Sequence, residues 1–355
     1  MMRQAEITGN PMSDAPAVNT RGYLTRRRAV FVIAMLGIVL VLACVVALAL
    51  GSEYVAPNEI LVGLWAKLTG AASPLSPEHE VITFGLRLPR IALALGVGAT
   101  LALAGAAFQA LLRNPLADPY VLGVSGGAAL GSIVALMFFS QVAFARPLLG
   151  FAGAVAATFV IYLFGRREDD PARLILAGVI TATFLSSIIA VLTSVAENVK
   201  LRNITYWLLG DLSSGNTQGI VFIAVATLIG AVVLVTQARA LNLMMVGERD
   251  AFALGVETAR VRWLVFITAS LLTGAAVSAG GAIGYVGLTV PHLVRLASGA
   301  DNRLVIPASS LAGALLVLIA DTIARTAFAP RELPTGAITA LIGAPVFVYL
   351  LLKSR

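Results

Sequence analysis

The sequence predicts an all-α, polytopic membrane protein with about ten transmembrane helices, in a plan of two inverted five-helix halves. Three observations lead there. Of its 355 residues, 59% are hydrophobic and only 12% are charged, whereas a soluble domain carries about 25% charge. The apolar residues gather in runs near the roughly 20 residues that a helix needs to cross the hydrocarbon core. No run shows the roughly 10-residue alternation of a membrane β-barrel, which leaves helices as the way to pair backbone groups in lipid.

Residues 1–28 are polar and basic and end in Arg26-Arg27-Arg28. They read as a cytoplasmic tail ahead of a single membrane domain over 29–353. The first apolar run, 29–51, contains a cleavage-like Ala47-Leu48-Ala49. It is nevertheless longer than the 7–15 residues or so of a signal-peptide core, so it reads as the first membrane helix. Further spans are expected at 88–112, 120–140, 147–165, 173–195, 217–237, 261–281, 284–299, 304–328 and 335–352, the eighth of them short. Five spans per half is an odd number, so the second half would be inverted relative to the first. Glycine-rich breaks near 123–131 and 280–287 mark corresponding places in the halves.

Two connections are long. In 52–86, Ile60, Leu61, Leu64, Trp65 and Leu68 recur at helical spacing and predict a helix lying on the outer membrane surface. In 238–260, glycines at 247 and 255 would divide an inner connection into two short helices. With the N-terminus inside, 17 of the 25 Lys and Arg residues fall on the inner side and 8 on the outer. That asymmetry places both ends inside.

The net charge of +7 is spread between apolar runs rather than gathered on one face, which argues against nucleic acid as a partner. Cys44 is the only cysteine, so no intrachain disulfide forms. None of Lys67, Lys200 and Lys353 follows a glycine, so there is no phosphate-cradling G-x-x-x-x-G-K-[ST] loop. His79 and His292 lie on separate segments and form no zinc pair.

Asp321 is the carboxylate placed clearly inside a span. Arg325, one turn on, would form an i,i+4 pair with it; the rival reading is a transport-linked role. His292 follows Pro291 and is expected to bond the carbonyl that the proline frees. Gln109 is expected to donate between helices. Arg87, Arg90 and Arg325 sit on the outer side, against the positive-inside trend. Snorkelling to lipid phosphates is one reason; an anionic partner outside the membrane is the other.

Residues from 87 to 347 then carry ordered motifs. They run from Arg87-Leu88-Pro89-Arg90 through Gly105, Gln109 and Asn114-Pro115-Leu116-Ala117-Asp118-Pro119 to Leu122-Gly123-Val124-Ser125-Gly126-Gly127-Ala128. They return at Gly284-Tyr285-Val286-Gly287-Leu288-Thr289-Val290-Pro291-His292 and Arg295, and end with Ala320-Asp321, Arg325, Glu332-Leu333-Pro334, Gly336, Thr339-Ala340 and Gly343-Ala344-Pro345. This series resembles the FecCD family of ABC-importer permeases, which serve iron-siderophores, haem and vitamin B12.

The resemblance implies a homodimer of ten-helix subunits in a bacterial inner membrane, with a central pathway between them. It implies two ABC ATPase subunits docked on the cytoplasmic face, holding ATP and magnesium, so that this chain is no enzyme and binds no cofactor itself. It also implies a periplasmic binding protein whose glutamates pair with Arg87, Arg90 and Arg325. The stretch 241–255 resembles the coupling helices that sit in the ATPase cleft, which assigns Gly247, Glu248, Arg249, Ala253 and Gly255 to coupling. The cytoplasmic gate aligns with Asp170, Pro171 and Ala172, where the small hydroxyl residues of the vitamin B12 permease are missing.

A proton-coupled secondary transporter is the alternative, and it would need several intramembrane ionisable residues. An intramembrane protease would need a second catalytic group facing Asp321. For cargo, a ferric siderophore comes first, then cobalamin, then haem.

Overall fold

The computed structural model describes residues 25–71, 75–120, 123–142, 144–165, 171–213 and 215–353. Residues 1–24 of the expected tail lie outside them, and Arg26–Arg28 belong to the first helix. The order is α1 (Arg26–Ala49), α2 (Pro57–Thr69), α3 (Pro77–Glu80), a π-helical stretch (Val81–Arg87), α4 (Leu88–Leu111), α5 (Val124–Phe138), α6 (Ala145–Gly165) and α7 (Pro171–Ser194). There follow α8 (Asn198–Leu208), α9 (Thr217–Val246), α10 (Glu248–Ala253), α11 (Thr258–Gly280), α12 (Val286–Ser298), α13 (Asn302–Thr326) and α14 (Thr335–Lys353). No strand occurs among the described residues.

Each of the ten expected segments falls on a helix. Among the described residues, however, only 7 helices are long and apolar enough to cross a membrane by length and composition. α12 has 13 residues and α5 has 15, which is about 20 and 22 Å of helix against a core about 30 Å thick. α12 is short as expected, and α5 is shorter than its expected 120–140. The cause is a chain that turns back into the bundle. After α4 the segment 112–120 lays Pro119 against Gly287, beside the Leu101 carbonyl, ten residues back along α4. Gly123 (φ 77) and Tyr285 (φ 67) turn through left-handed backbone directly into α5 and α12. Non-helical backbone at membrane depth is tolerated where protein covers it. Ala117 and Ile283, on the two re-entrant stretches, are buried.

Two boundaries move as well. α9 does not stop at 237: Ala238, Leu241 and Met244 are buried at helical spacing and carry its packed face onward to Val246. Only α10 remains as a separate short helix in 238–260. At the other end, the helical run containing α4 starts at Pro77, so Arg87 and Arg90 lie within it rather than at its mouth. α2 forms as expected but buries Ile60, Gly63 and Ala66, leaving Leu61, Trp65 and Leu68 exposed.

The core is built on α4 and α11, whose most apolar windows are 83% and 72% buried, while that of α1 is 0% buried. Lipid supplies little hydrophobic drive between helices, so close approach of small residues must hold them. Gly98 and Gly105 lie two turns apart on α4. A Cβ on Gly98 would meet the backbone of Gly313 on α13, and one on Gly105 the backbone of Gly287 on α12. Pro291 cannot donate to the carbonyl of Gly287, four residues back. Gln109 Nε2 reaches that carbonyl at 3.4 Å and donates to the carbonyl of Leu288 at 2.9 Å. Gln109 therefore performs the task expected of His292.

Gly105→Val sets a side chain against backbone that cannot yield, and overpacking of this kind costs about 1–3 kcal/mol or more. Its unfolding midpoint in detergent should drop clearly. Gly37→Val, where a Cβ would have nothing within 4 Å, should match the parent. Equal midpoints for the two variants would contradict the packing described.

Candidate functional site

The three arginines converge where α1 ends and α4 begins. Arg87 Nη1 donates to the carbonyls of Leu48 at 2.6 Å and Ala49 at 3.3 Å, and Nη2 to that of Glu53. Arg325 Nη2 donates to the carbonyl of Ala47 at 3.0 Å, and Nη1 to that of Leu50 at 3.4 Å. Both guanidiniums therefore cap the last turn of α1. The final carbonyls of a helix lack intrahelical donors and carry the negative end of its dipole.

Arg90 does something different. Its Nε donates to Asp321 Oδ1 at 2.9 Å and its Nη1 to Glu332 Oε2 at 2.6 Å. Asp321 Oδ1 also accepts from Thr335 Oγ1 at 3.1 Å. Asp321 Oδ2 lies 3.2 Å from Arg325 Nε, an ion pair without hydrogen-bond alignment. The expected Asp321–Arg325 pair is thus half of a larger cluster that ties α4, α13 and the start of α14 together. Asp321 is 0% exposed.

The arginines were expected on the outer side, reaching lipid phosphates or an external anionic partner. They are instead buried, at 5% exposure for Arg87 and 7% for Arg90 and Arg325, because α1's final turn and the 327–334 segment pack over them. A cavity of about 300 Å³ remains, and all three line it together with Glu332. The three cations are met by Asp321 and Glu332, by the Glu53 carboxylate acting on Arg87, and by the carbonyls at the α1 terminus. Glu332 and Thr335 belonged to no sequence-level site assignment. Their partners lie 242 and 14 residues away, and the only signal was that Glu332 opens the Glu332-Leu333-Pro334 motif, which Thr335 directly follows.

At the opposite end of α4 a second charged contact holds α10. Glu248 Oε1 lies 3.0 Å from Arg113 Nη2, just past α4, and Glu248 Oε2 accepts from Arg262 Nη2 on α11 at 2.5 Å. Of the residues expected to couple, Glu248 is therefore turned inward, whereas Arg249 and Ala253 are exposed. Gly247 sits against the Asp250 carboxylate. Gly255 has left-handed backbone (φ 86) and open space beside it, so its conformation and not a close approach calls for glycine. Around α10 the structure exposes Val246 (80%), Phe252 (71%) and Leu254 (69%), with Ala251 buried beneath. None of these three apolar residues was singled out from the sequence. Of the expected gate, Asp170 lies outside the described residues, and Pro171 and Ala172 are placed only as the first residues of α7.

A multi-pass helical bundle with a buried charge cluster at one end and an exposed short helix at the other is the form of an ABC-transporter permease. Comparison with known proteins is specific: residues 38–353 match the FecCD transport family, and the chain belongs to it. It is 42% identical to the cobalamin import system permease BtuC of Halobacterium salinarum, over 81% of this chain and 79% of that protein. It is 38% identical to the hemin transport system permease HmuU of Yersinia pestis, over 90% and 96%. It is also 38% identical to YvrB, an uncharacterised ABC transporter permease of Bacillus subtilis, over 89% and 92%. A solved ABC transporter described as metal-chelate type, in an inward-facing conformation, superposes with a TM-score of 0.81 at 32% identity, covering 91% of this chain and 99% of that one.

Removing one member of a buried ionic cluster leaves its partners uncompensated. Asp321→Asn should therefore lower the stability of the detergent-solubilised protein by about 3–5 kcal/mol. Glu59→Gln, which alters a half-exposed pair with His79, should change it by less than about 1 kcal/mol. Comparable melting shifts in the two variants would show that the cluster does not hold the bundle.

Proposed function

We propose that this chain is the membrane-spanning subunit of an ATP-driven importer that carries a bulky metal chelate inward. A ferric siderophore is the first candidate, cobalamin the second and haem the third. The names of the relatives, which include cobalamin and hemin systems, support this class of cargo. In this reading the chain works as a homodimer in a bacterial inner membrane, with the arginine end in the periplasm and both termini in the cytoplasm. It crosses about ten times in two inverted halves. Reciprocal packing supports that plan: α4 of the first half packs on α12 and α13, and α11 of the second half packs on α5 and α6. The chain binds no nucleotide, and ATP with magnesium is held by two partner ATPases.

The observation that carries the proposal is the placement of α4. This central helix, about 36 Å long, holds Arg90 at one end, and Arg113 just beyond the other end holds Glu248 of α10. One rigid element thus touches both ends of the molecule. At the periplasmic end, the three guanidiniums of Arg87, Arg90 and Arg325 that line one cavity suit carboxylates of a binding protein, because guanidinium pairs with carboxylate in a fixed planar geometry. At the cytoplasmic end, Val246, Phe252 and Leu254 offer an apolar patch of the kind that protein partners cover, with Arg249 and Ala253 beside it. Asp170, Pro171 and Ala172 stand as the gate in this reading. A proton-coupled transporter finds less support, since Asp321 is committed to two arginines and a threonine.

Phe252→Asp tests the coupling surface. An aromatic anchor lost from an interface costs about 2 kcal/mol or more at a hot spot, a loss of about 30-fold in affinity. The variant should fold in nanodiscs with the parent's melting point and bind the partner ATPase at least about tenfold more weakly. Unchanged ATPase binding would remove α10 from the interface.

A further inference from the structure

The arginine cavity already contains a carboxylate. Arg90 makes two anionic contacts of unequal character: Asp321 has 0% side-chain exposure and Glu332 has 50%. We propose that Glu332 is a resident placeholder in the docking cavity, holding Arg90 Nη1 while the cavity is empty and yielding it to an incoming carboxylate of the binding protein. This rests on the docking reading given above and adds how the site is kept and released.

Four features support it. First, the two contacts use different nitrogens. Nε keeps Arg90 anchored to Asp321, while Nη1 alone is exchanged. Second, an ion pair that is half exposed is weakly held and screened by salt, whereas the Asp321 contact is sheltered. Third, the backbone around Glu332 is pinned. Leu333 N donates to the carbonyl of Ala324 and Thr335 N to that of Gly210, both at 3.0 Å. Release of Arg90 then requires only a rotation of the Glu332 side chain. Fourth, Glu332 lines both the 300 Å³ cavity and a neighbouring vestibule of about 1020 Å³ whose wall carries Arg146, Arg202 and Arg331. A Glu332 side chain turned out of the cavity enters a vestibule that holds Arg202 and Arg331, alongside Arg146, which already faces the Asp211 carboxylate, so cations remain near its charge. A carboxylate that arrives therefore replaces an existing bond and does not need to desolvate a bare cation.

The test uses the permease–ATPase complex in nanodiscs and the ligand-free substrate-binding protein of the same transport system. Docking affinity is measured for the parent, Glu332→Gln, Glu332→Ala and Arg90→Ala at two ionic strengths. Removing a competing charge should tighten docking by about 3- to 10-fold in both Glu332 variants, with an unchanged unfolding midpoint. Arg90→Ala should weaken docking. If the Glu332 variants leave docking unchanged or weaken it while Arg90→Ala still weakens it, Glu332 is a fixed support of Arg90 and the placeholder role is wrong. If Arg90→Ala leaves docking intact, the docking reading itself fails, whatever Glu332 does.

Discussion

Asp321 sets the constraint on which this bundle depends. A carboxylate with no exposure must be neutralised where it sits, or the cost of burying its charge would exceed any packing gain. It is met by Arg90 from α4, Arg325 from its own helix and Thr335 from α14. Those partners fix how three helices stand relative to each other. Arg325 then has its Nη atoms free to cap α1, so the same ion pair also secures the helix that is otherwise least buried. A purely apolar contact could slide along its neighbours. A buried carboxylate with two directional guanidinium partners cannot, and register follows.

From this cluster the central helix leads to the other end of the molecule. α4 is packed through glycine against the backbones of α12 and α13, which makes it stiff against sideways movement. Beyond its last turn Arg113 reaches Glu248, and Arg262 of α11 completes the grip on α10. The sequence of contacts is continuous: Arg90, the α4 backbone, Arg113, Glu248. In the importer reading proposed above, this is the route that would connect a docking surface at one end with an ATPase at the other.

The helical class and most segment positions could be read from the chain, because runs of apolar residues in lipid admit few other solutions. The i,i+4 pair of Asp321 and Arg325 was equally legible, being local. Contacts across long separations were not. Nothing in the periodicity linked Arg90 to Glu332 or Arg113 to Glu248, and the burial of Arg87 and Arg325 depends on the α1 terminus folding over them. The shortness of α5 was hidden as well. The apolar run 120–140 looks continuous, yet the left-handed turn at Gly123 starts α5 only at Val124. The α9 extension was obscured by polar residues such as Gln237 and Arg239, which flank Ala238 while Ala238 and Leu241 continue the buried face. Proline chemistry misled in one instance, since the carbonyl freed by Pro291 is served by Gln109 from another helix rather than by the adjacent His292.

The most direct test of the central claim is uptake into proteoliposomes. The chain is reconstituted with its ATPase and binding protein, and labelled ferric siderophores, cobalamin and haem are offered in turn. Accumulation of one of them should require ATP and the binding protein and should persist when an uncoupler collapses the proton gradient. Accumulation driven by a proton gradient without ATP, and lost on adding the uncoupler, would contradict the assignment of this chain as the permease of an ATP-driven importer.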